Sequence, residues 1–191
     1  MTNNPIGATL QFITYLEGLK RERRNSWLSN GERESVSDHS WRMVMMAMIL
    51  APKTSLDLNM ERVLKMAAIH DLAEIETGDI PTIHQTQEVV NQKNKDELAA
   101  FTKMRAMLDG DSGEELYSLF HEFEDQQTVE AIFVRILDKF ECVIQKNQQS
   151  TDVEPGAEGY FEKLEKLCSI DPYLSSFYAD LYEDVKKRNN K

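Results

Sequence analysis

Apolar residues recur along this chain at helical spacing, and nowhere do they alternate as a ladder of paired strands requires. Leu10, Ile13, Leu16 and Leu19 mark one stripe of a first helix, which runs out into the basic stretch Lys20-Arg21-Glu22-Arg23-Arg24. Residues 25–34 form a polar connection with Asn30-Gly31 as its turn signal. Ser35 or Ser37 can cap a second helix that carries His39 near its start, runs through Met43, Val44, Ala47 and Leu50, and stops at Pro52. Asp57 or Asn59 can cap a third, which holds Val63, Leu64, Ala67, Ala68, His70 and Asp71 and is closed by Gly78 before Ile80-Pro81 leads into a loop.

The second half continues in the same way. Residues 85–103 read as a solvated helix that turns apolar at Met104, Met107 and Leu108. Asp109-Gly110-Asp111 breaks the chain before a helix over 114–124. Another starts near Thr128, with Ile132, Ile136, Phe140 and Val143 on its buried stripe and Asp138 within it. Glu154-Pro155-Gly156 separates that helix from two short amphipathic ones at the C-terminal end. With no repeat, low-complexity tract or linker, the pattern predicts an all-α fold in one domain, residues 1–191, with its core over about 10–185.

Composition narrows the partners. The 191 residues are 41% hydrophobic and 29% charged, as in globular proteins, but carry a net charge of −11. An acidic surface repels a nucleic-acid duplex and an anionic membrane. It still admits a small phosphate ester if a metal ion and a few Arg or Lys residues reverse the field locally. The longest apolar stretch, residues 43–51, is too short to span a bilayer, and Met1-Thr2-Asn3-Asn4-Pro5 lacks the marks of a signal peptide. Cys142 and Cys168 make no disulfide framework and no zinc spacing; two reduced thiols in the cytoplasm is the expectation.

The candidate chemistry lies in misplaced polarity. His70 and Asp71 interrupt Met66-Ala67-Ala68-Ile69 and Leu72-Ala73, where an imidazole and a carboxylate are costly unless paired or bound to a metal. Helical neighbours diverge by about 100°, so further ligands must come from other helices. His39 and Asp138, the latter following the run Phe133-Val134-Arg135-Ile136-Leu137, are the candidates. Two His and two Asp suit one divalent transition metal in an open site, Mn²⁺, Co²⁺, Fe²⁺, Zn²⁺ or Ni²⁺, with Mg²⁺ also admitted. A His-Asp dipeptide alone is a weak signal, more often a satisfied core pair than a ligand pair.

The surrounding motifs strengthen it. Ser37-Asp38-His39, then His70-Asp71-Leu72-Ala73-Glu74 continuing to Thr77-Gly78-Asp79-Ile80-Pro81, then Leu137-Asp138, resemble the HD-domain superfamily, and within it the 5′-deoxynucleotidase group. The resemblance implies a helical homodimer that uses Co²⁺, Mn²⁺ or a similar cation to hydrolyse deoxyribonucleoside 5′-monophosphates. It makes His39, His70, Asp71 and Asp138 the metal ligands, with the cation polarising a phosphoryl oxygen and acidifying the attacking water. It gives Glu74 a catalytic role as acid or base, and Asp79 a sugar contact that disfavours a ribose 2′-hydroxyl.

Arg24 and Trp27 resemble the family's phosphate-gripping Arg and its Trp, although Asn25-Ser26 between them departs from the pattern and leaves Arg23 as an alternative to Arg24. Trp27 has packing as its plain alternative, Asp79 a role as a helix-end turn residue, and Glu76 fits an ordinary solvated glutamate. Glu122-Phe123-Glu124 resembles an element of these relatives whose role the sequence leaves open. His84 and His121 sit in no second-metal spacing, so one metal is expected. The competing readings are an HD phosphohydrolase for a cyclic nucleotide, a dNTP or another phosphomonoester, and a nucleotide-binding regulatory module without turnover.

Overall fold

Side-chain caps decide where the helices start. In the computed structural model, which describes residues 5–80, 86–108, 110–149 and 158–189, Ser35 and Asp38 form a reciprocal capping box at the head of α3 (Val36–Leu50). Asn59 caps α4 (Met60–Ile69), Thr86 caps α6 (Gln87–Met107) and Thr128 caps α8 (Val129–Gln148), each accepting a backbone N–H three residues on. Ahead of α3 lie α1 (Pro5–Tyr15) and α2 (Glu17–Arg21); α5 (Glu74–Thr77) is a single turn, α7 spans Asp111–Asp125, and α9 (Glu158–Cys168) and α10 (Pro172–Asn189) close the chain. Among the described residues no helix is long and apolar enough to cross a membrane.

Two hydrophobic clusters hold the fold. The larger joins α3, α4 and α8 through Met43, Ala47, Val63, Met66, Phe133 and Leu137, with α9 and α10 packed against α8. The smaller joins α1, α2, α6 and α7 through Phe12, Leu19, Phe101, Met104 and Phe120. Ile69, the last residue of α4, packs against both. The architecture is the expected all-α single domain, and the triangle α3–α4–α8 carries His39, His70, Asp71 and Asp138.

Four expectations need correction. The connection at 25–34 contains a hairpin: β1 (Arg23–Trp27) pairs antiparallel with β2 (Arg33–Ser35), so the basic run ends α2 with Lys20-Arg21 and continues as a strand from Arg23. Hydrophobic periodicity cannot register this ladder, because all its residues but Trp27 are polar. It is held by the Arg33 guanidinium, which donates to the Arg23 and Arg24 carbonyls, and by a turn with Gly31 at φ +87°, a conformation glycine adopts freely.

The first helix is broken after Tyr15, and half of its expected stripe is misassigned: Leu10 and Ile13 are exposed, while Leu16 and Leu19 join Phe12 at the smaller cluster. Ile132 is only partly buried, the deep positions of α8 being Phe133, Val134, Ile136, Leu137 and Phe140. Finally, α4 ends at Ile69, so His70 and Asp71 lie in a tightened turn whose bonds shift to three-residue spacing (Leu72 N to Ile69 O, 2.9 Å; Glu74 N to Asp71 O, 3.0 Å). Met1-Thr2-Asn3-Asn4, Pro81, His84, Asp109 and Glu154-Pro155-Gly156 lie outside the described residues.

One buried carboxylate ties the C-terminal helices to the body. Asp171 sits just before Pro172 and accepts from the N–H groups of Tyr173 and Leu174 through one oxygen, capping α10. Its other oxygen accepts from the Ser55 N–H and hydroxyl, ahead of α4. Burial opposes its ionisation, but these four bonds outweigh it and hold its pKa below the usual carboxylate range. Its contribution is therefore present above the ordinary Asp pKa and is lost as pH falls through the depressed one. Asp171→Ala is expected to cost about 2 kcal/mol in urea unfolding at neutral pH. The gap to the parent should narrow in acid; an unchanged gap would discount the capping carboxylate.

Candidate metal centre

Three helices and one strand deliver the site. His39 projects from the first turn of α3, His70 and Asp71 from the turn after α4, and Asp138 from the middle of α8. His39 Nε2 lies 3.3 Å from His70 Nε2, 3.4 Å from Asp138 Oδ1 and 3.6 Å from Asp71 Oδ2, while His70 Nε2 is 3.1 Å from that same Asp71 oxygen. All four side chains singled out in the sequence thus converge. Both imidazoles are buried, His39 completely.

The outer nitrogens show what the inner ones offer. His70 Nδ1 faces the Ala67 carbonyl at 3.1 Å, an acceptor, so it carries a proton and leaves a lone pair on Nε2. His39 Nδ1 faces the Glu141 carboxylate at 2.5 Å, which fixes the same tautomer. Two imidazole lone pairs and two carboxylate oxygens then point at one small volume. The group His39, His70 and Asp138 has its ligand atoms within 4.8 Å of one another. Mixed nitrogen and oxygen donors in that arrangement fit a divalent cation.

Electrostatics agree. For His39, burial and the Arg24 charge oppose protonation, yet hydrogen bonds to Asp138 and Glu141 outweigh them and raise its pKa to about 9. In the metal-free protein a proton serves where a cation would. Burial pushes against ionisation of Asp71, but His70, His39 and Arg24 overcome it and hold the carboxyl well below its ordinary range; Asp138 is lowered too, chiefly by His39.

Arg24 of β1 reaches the cluster. Its Nη1 donates to Asp71 Oδ2 at 3.2 Å and its Nη2 to Cys142 Sγ at 3.1 Å, with Glu34 Oε2 3.3 Å from its Nε. Arg23 points the other way, to the Arg33 carbonyl. Strand alternation explains both, and it also puts Trp27 on the outer face, exposed and beneath the Arg33 guanidinium at 6.0 Å. Asp79 accepts from the Asn25 N–H at 3.0 Å, pinning the loop after α5 to the hairpin.

Glu74 is buried one turn past Asp71, with Lys93 of α6 3.9 Å from its Oε1 and no hydrogen-bond partner on Oε2 among the described residues. Burial, then the charges of Asp71 and Asp79, raise its pKa to about 10. Glu122-Phe123-Glu124 forms a brace at the end of α7. Glu122 bonds Arg62 and the Thr128 hydroxyl, Phe123 meets His70 edge-on at 5.4 Å, and Glu124 holds Arg135, which lies 3.9 Å over the Phe123 ring. His121 stacks edge-on against Tyr117 on the same helix.

Sequence reasoning missed Glu34, Arg42, Lys93, Glu141 and Cys142. A signal existed for two of them: Asp138, Glu141, Cys142 and Gln145 repeat at helical spacing inside a mostly apolar helix, with Glu141 and Gln145 fully buried.

The comparisons concur. The family model described as HD domain matches residues 16–169. The 5′-deoxynucleotidase HDDC2 of Dictyostelium discoideum is 36% identical over 184 residues, 92% of this chain and 93% of that protein. The protein of the same name from Homo sapiens is 36% identical over 150 residues, 77% and 71% of the two chains. Among solved structures, a predicted metal-dependent phosphohydrolase from Magnetospirillum magnetotacticum MS-1 superposes with TM-score 0.78 at 23% identity, covering 96% of each chain, and so shares the fold.

A cation held at His39 would compete with its proton, with opposite consequences. A pKa raised from 6.5 to about 9 stabilises the metal-free fold below 6.5, and that contribution is lost as pH rises through 9. Cation affinity should move the other way, weakening below pH 9 as the imidazole protonates. Melting of chelator-treated protein and Co²⁺ titrations across this range check both trends, and His39→Ala should flatten the first and abolish the second.

Proposed function

This chain belongs to the HD domain family, and we propose that it is a metal-dependent 5′-deoxynucleotidase that converts deoxyribonucleoside 5′-monophosphates to deoxynucleoside and phosphate. The observation that carries the reading is the convergence of His39, His70, Asp71 and Asp138 on one volume. Relatives of 36% identity bearing that enzyme name support the substrate class.

In this reading those four residues hold one divalent transition metal, the mixed donor set suiting Mn²⁺, Co²⁺, Fe²⁺, Zn²⁺ or Ni²⁺ and the family resemblance favouring Co²⁺ or Mn²⁺. The cation supplies Lewis acidity toward a phosphoryl oxygen and toward water. Arg24 binds a phosphate oxygen through its planar fork, its backing by Glu34 and Asp71 keeping the guanidinium aimed inward. Glu74, kept protonated by burial beside other acids, donates to the leaving 5′-oxygen; this favours acid over base. Asp79, anchored on the Asn25 N–H, offers its other oxygen to a sugar hydroxyl and crowds a 2′-substituent. For Trp27 the strand alternation favours a place at the rim.

Exposed apolar stripes at Ile6, Leu10 and Ile13 on α1, and at Trp41, Met45 and Met48 on α3, support a homodimer. Cys142 and Cys168 as free thiols support a cytoplasmic setting.

With Co²⁺ or Mn²⁺, phosphate release from dAMP should exceed that from AMP and dATP by at least about tenfold; equal rates on dAMP and AMP would remove the deoxy specificity. Glu74→Gln should keep its bound metal and lose about 100-fold or more in kcat. Light scattering should give twice the chain mass, and Leu10→Glu with Met48→Glu should shift it toward the monomer.

A further inference from the structure

Behind His39 the interior of α8 holds a carboxylate that the proposed reaction does not use. Glu141 is fully buried among Phe140, Val143 and Leu137, where an ionisable group is costly unless its partners are in place. Each of its oxygens addresses one cationic or donor group from α3. Oε2 lies 2.5 Å from His39 Nδ1, and Oε1 lies 3.1 Å from Arg42 Nη1, an ion-pair distance without hydrogen-bond alignment. His39 and Arg42 are three residues apart on one helix face, so they bracket Glu141 between them. Arg42 itself reaches the surface, its side chain 27% exposed, while Glu141 and His39 do not.

We infer that Glu141, steadied by Arg42, is a positioning residue that fixes His39 as the Nδ1–H tautomer and so presents the Nε2 lone pair to the cation. The inference rests on His39 being a metal ligand, and it distinguishes the two imidazoles. His70 gives its outer proton to a neutral carbonyl, whereas His39 gives it to a carboxylate, which makes His39 the more basic donor. The same geometry predicts that a glutamine will not substitute. A neutral amide has one oxygen for two donors. If that oxygen faces His39, the amide N–H₂ meets the Arg42 guanidinium; if it faces Arg42, the N–H₂ meets Nδ1 and forces the proton onto Nε2, where the cation belongs.

A merely structural tie between α3 and α8 predicts none of this. Glu141→Gln is the test, with Zn²⁺ as the probe because it is diamagnetic. Chelator competition should show wild-type protein binding one Zn²⁺ and the variant binding it 10- to 100-fold more weakly. Circular dichroism of the metal-free variant should stay unchanged. In the Zn²⁺-loaded wild type, ¹⁵N-edited spectra should place the His39 proton on Nδ1, far downfield and slow to exchange, and the variant should lose that signature.

Equal Zn²⁺ affinity in the two proteins, with the Nδ1 proton signal unmoved, overturns the inference and leaves the metal site standing. A wild type that takes up no Zn²⁺ sinks the site reading itself, and the inference with it. Should the variant fail to fold, the wild-type spectrum decides alone: a proton on Nε2 of His39, or zinc on its Nδ1, refutes the assignment.

Discussion

Hydrogen-bond acceptors that converge without donors repel one another, and the arrangement of this molecule follows from that constraint. Two imidazole lone pairs and two carboxylates meet between α3, α4 and α8. No packing of apolar neighbours can satisfy them; a positive charge must sit among them, whether proton or cation. The surrounding core makes the convergence unavoidable. Met43 and Ala47 of α3, Val63 and Met66 of α4, and Phe133 and Leu137 of α8 are all buried in one cluster. Their packing holds α3, α8 and the end of α4 together, and with them the four side chains that converge.

Charge is layered outward from that point. Around the inner acceptors lie cations from four elements: Arg24 of β1, Arg42 of α3, Lys93 of α6 and Arg135 of α8. Each pairs with an acid of the site, and several of those acids are buried. A chain with net charge −11 thus keeps cationic groups beside the acids at its centre. The backing acids have their own tension. Glu34 is completely enclosed, and burial together with the nearby Glu141 charge raises its pKa to about 7 despite Arg24.

The all-helical character, most caps and the four central side chains were legible in the sequence because each rests on local chemistry: a period, a capping residue, a polar pair in an apolar run. What was not legible depends on tertiary pairing. The hairpin of β1 and β2 is polar except for Trp27, so it leaves no alternating hydrophobic signature, yet it decides that Arg24 faces Asp71 while Arg23 and Trp27 face away. The break after Ile69 was hidden for the opposite reason, since the residues that follow keep a helix-like apolar pattern while their backbone bonds tighten. Lys93 looked like one charge among many on a solvated helix; only the approach of α6 to α5 brings it to Glu74.

The tightened turn also separates two carboxylates that sequence spacing made look alike. Asp71 and Glu74 are three residues apart, yet Asp71 is held ionised by two imidazoles and Arg24, while Glu74 is pushed up by burial and by Asp71 itself. A carboxylate that stays charged and one that keeps its proton cannot share one environment. Here Asp71 lies against the cationic groups, and Glu74 sits one turn deeper with the Lys93 ammonium 3.9 Å away. The ionised member raises the pKa of the protonated one, so the contrast between the two carboxylates is built into the turn that carries both.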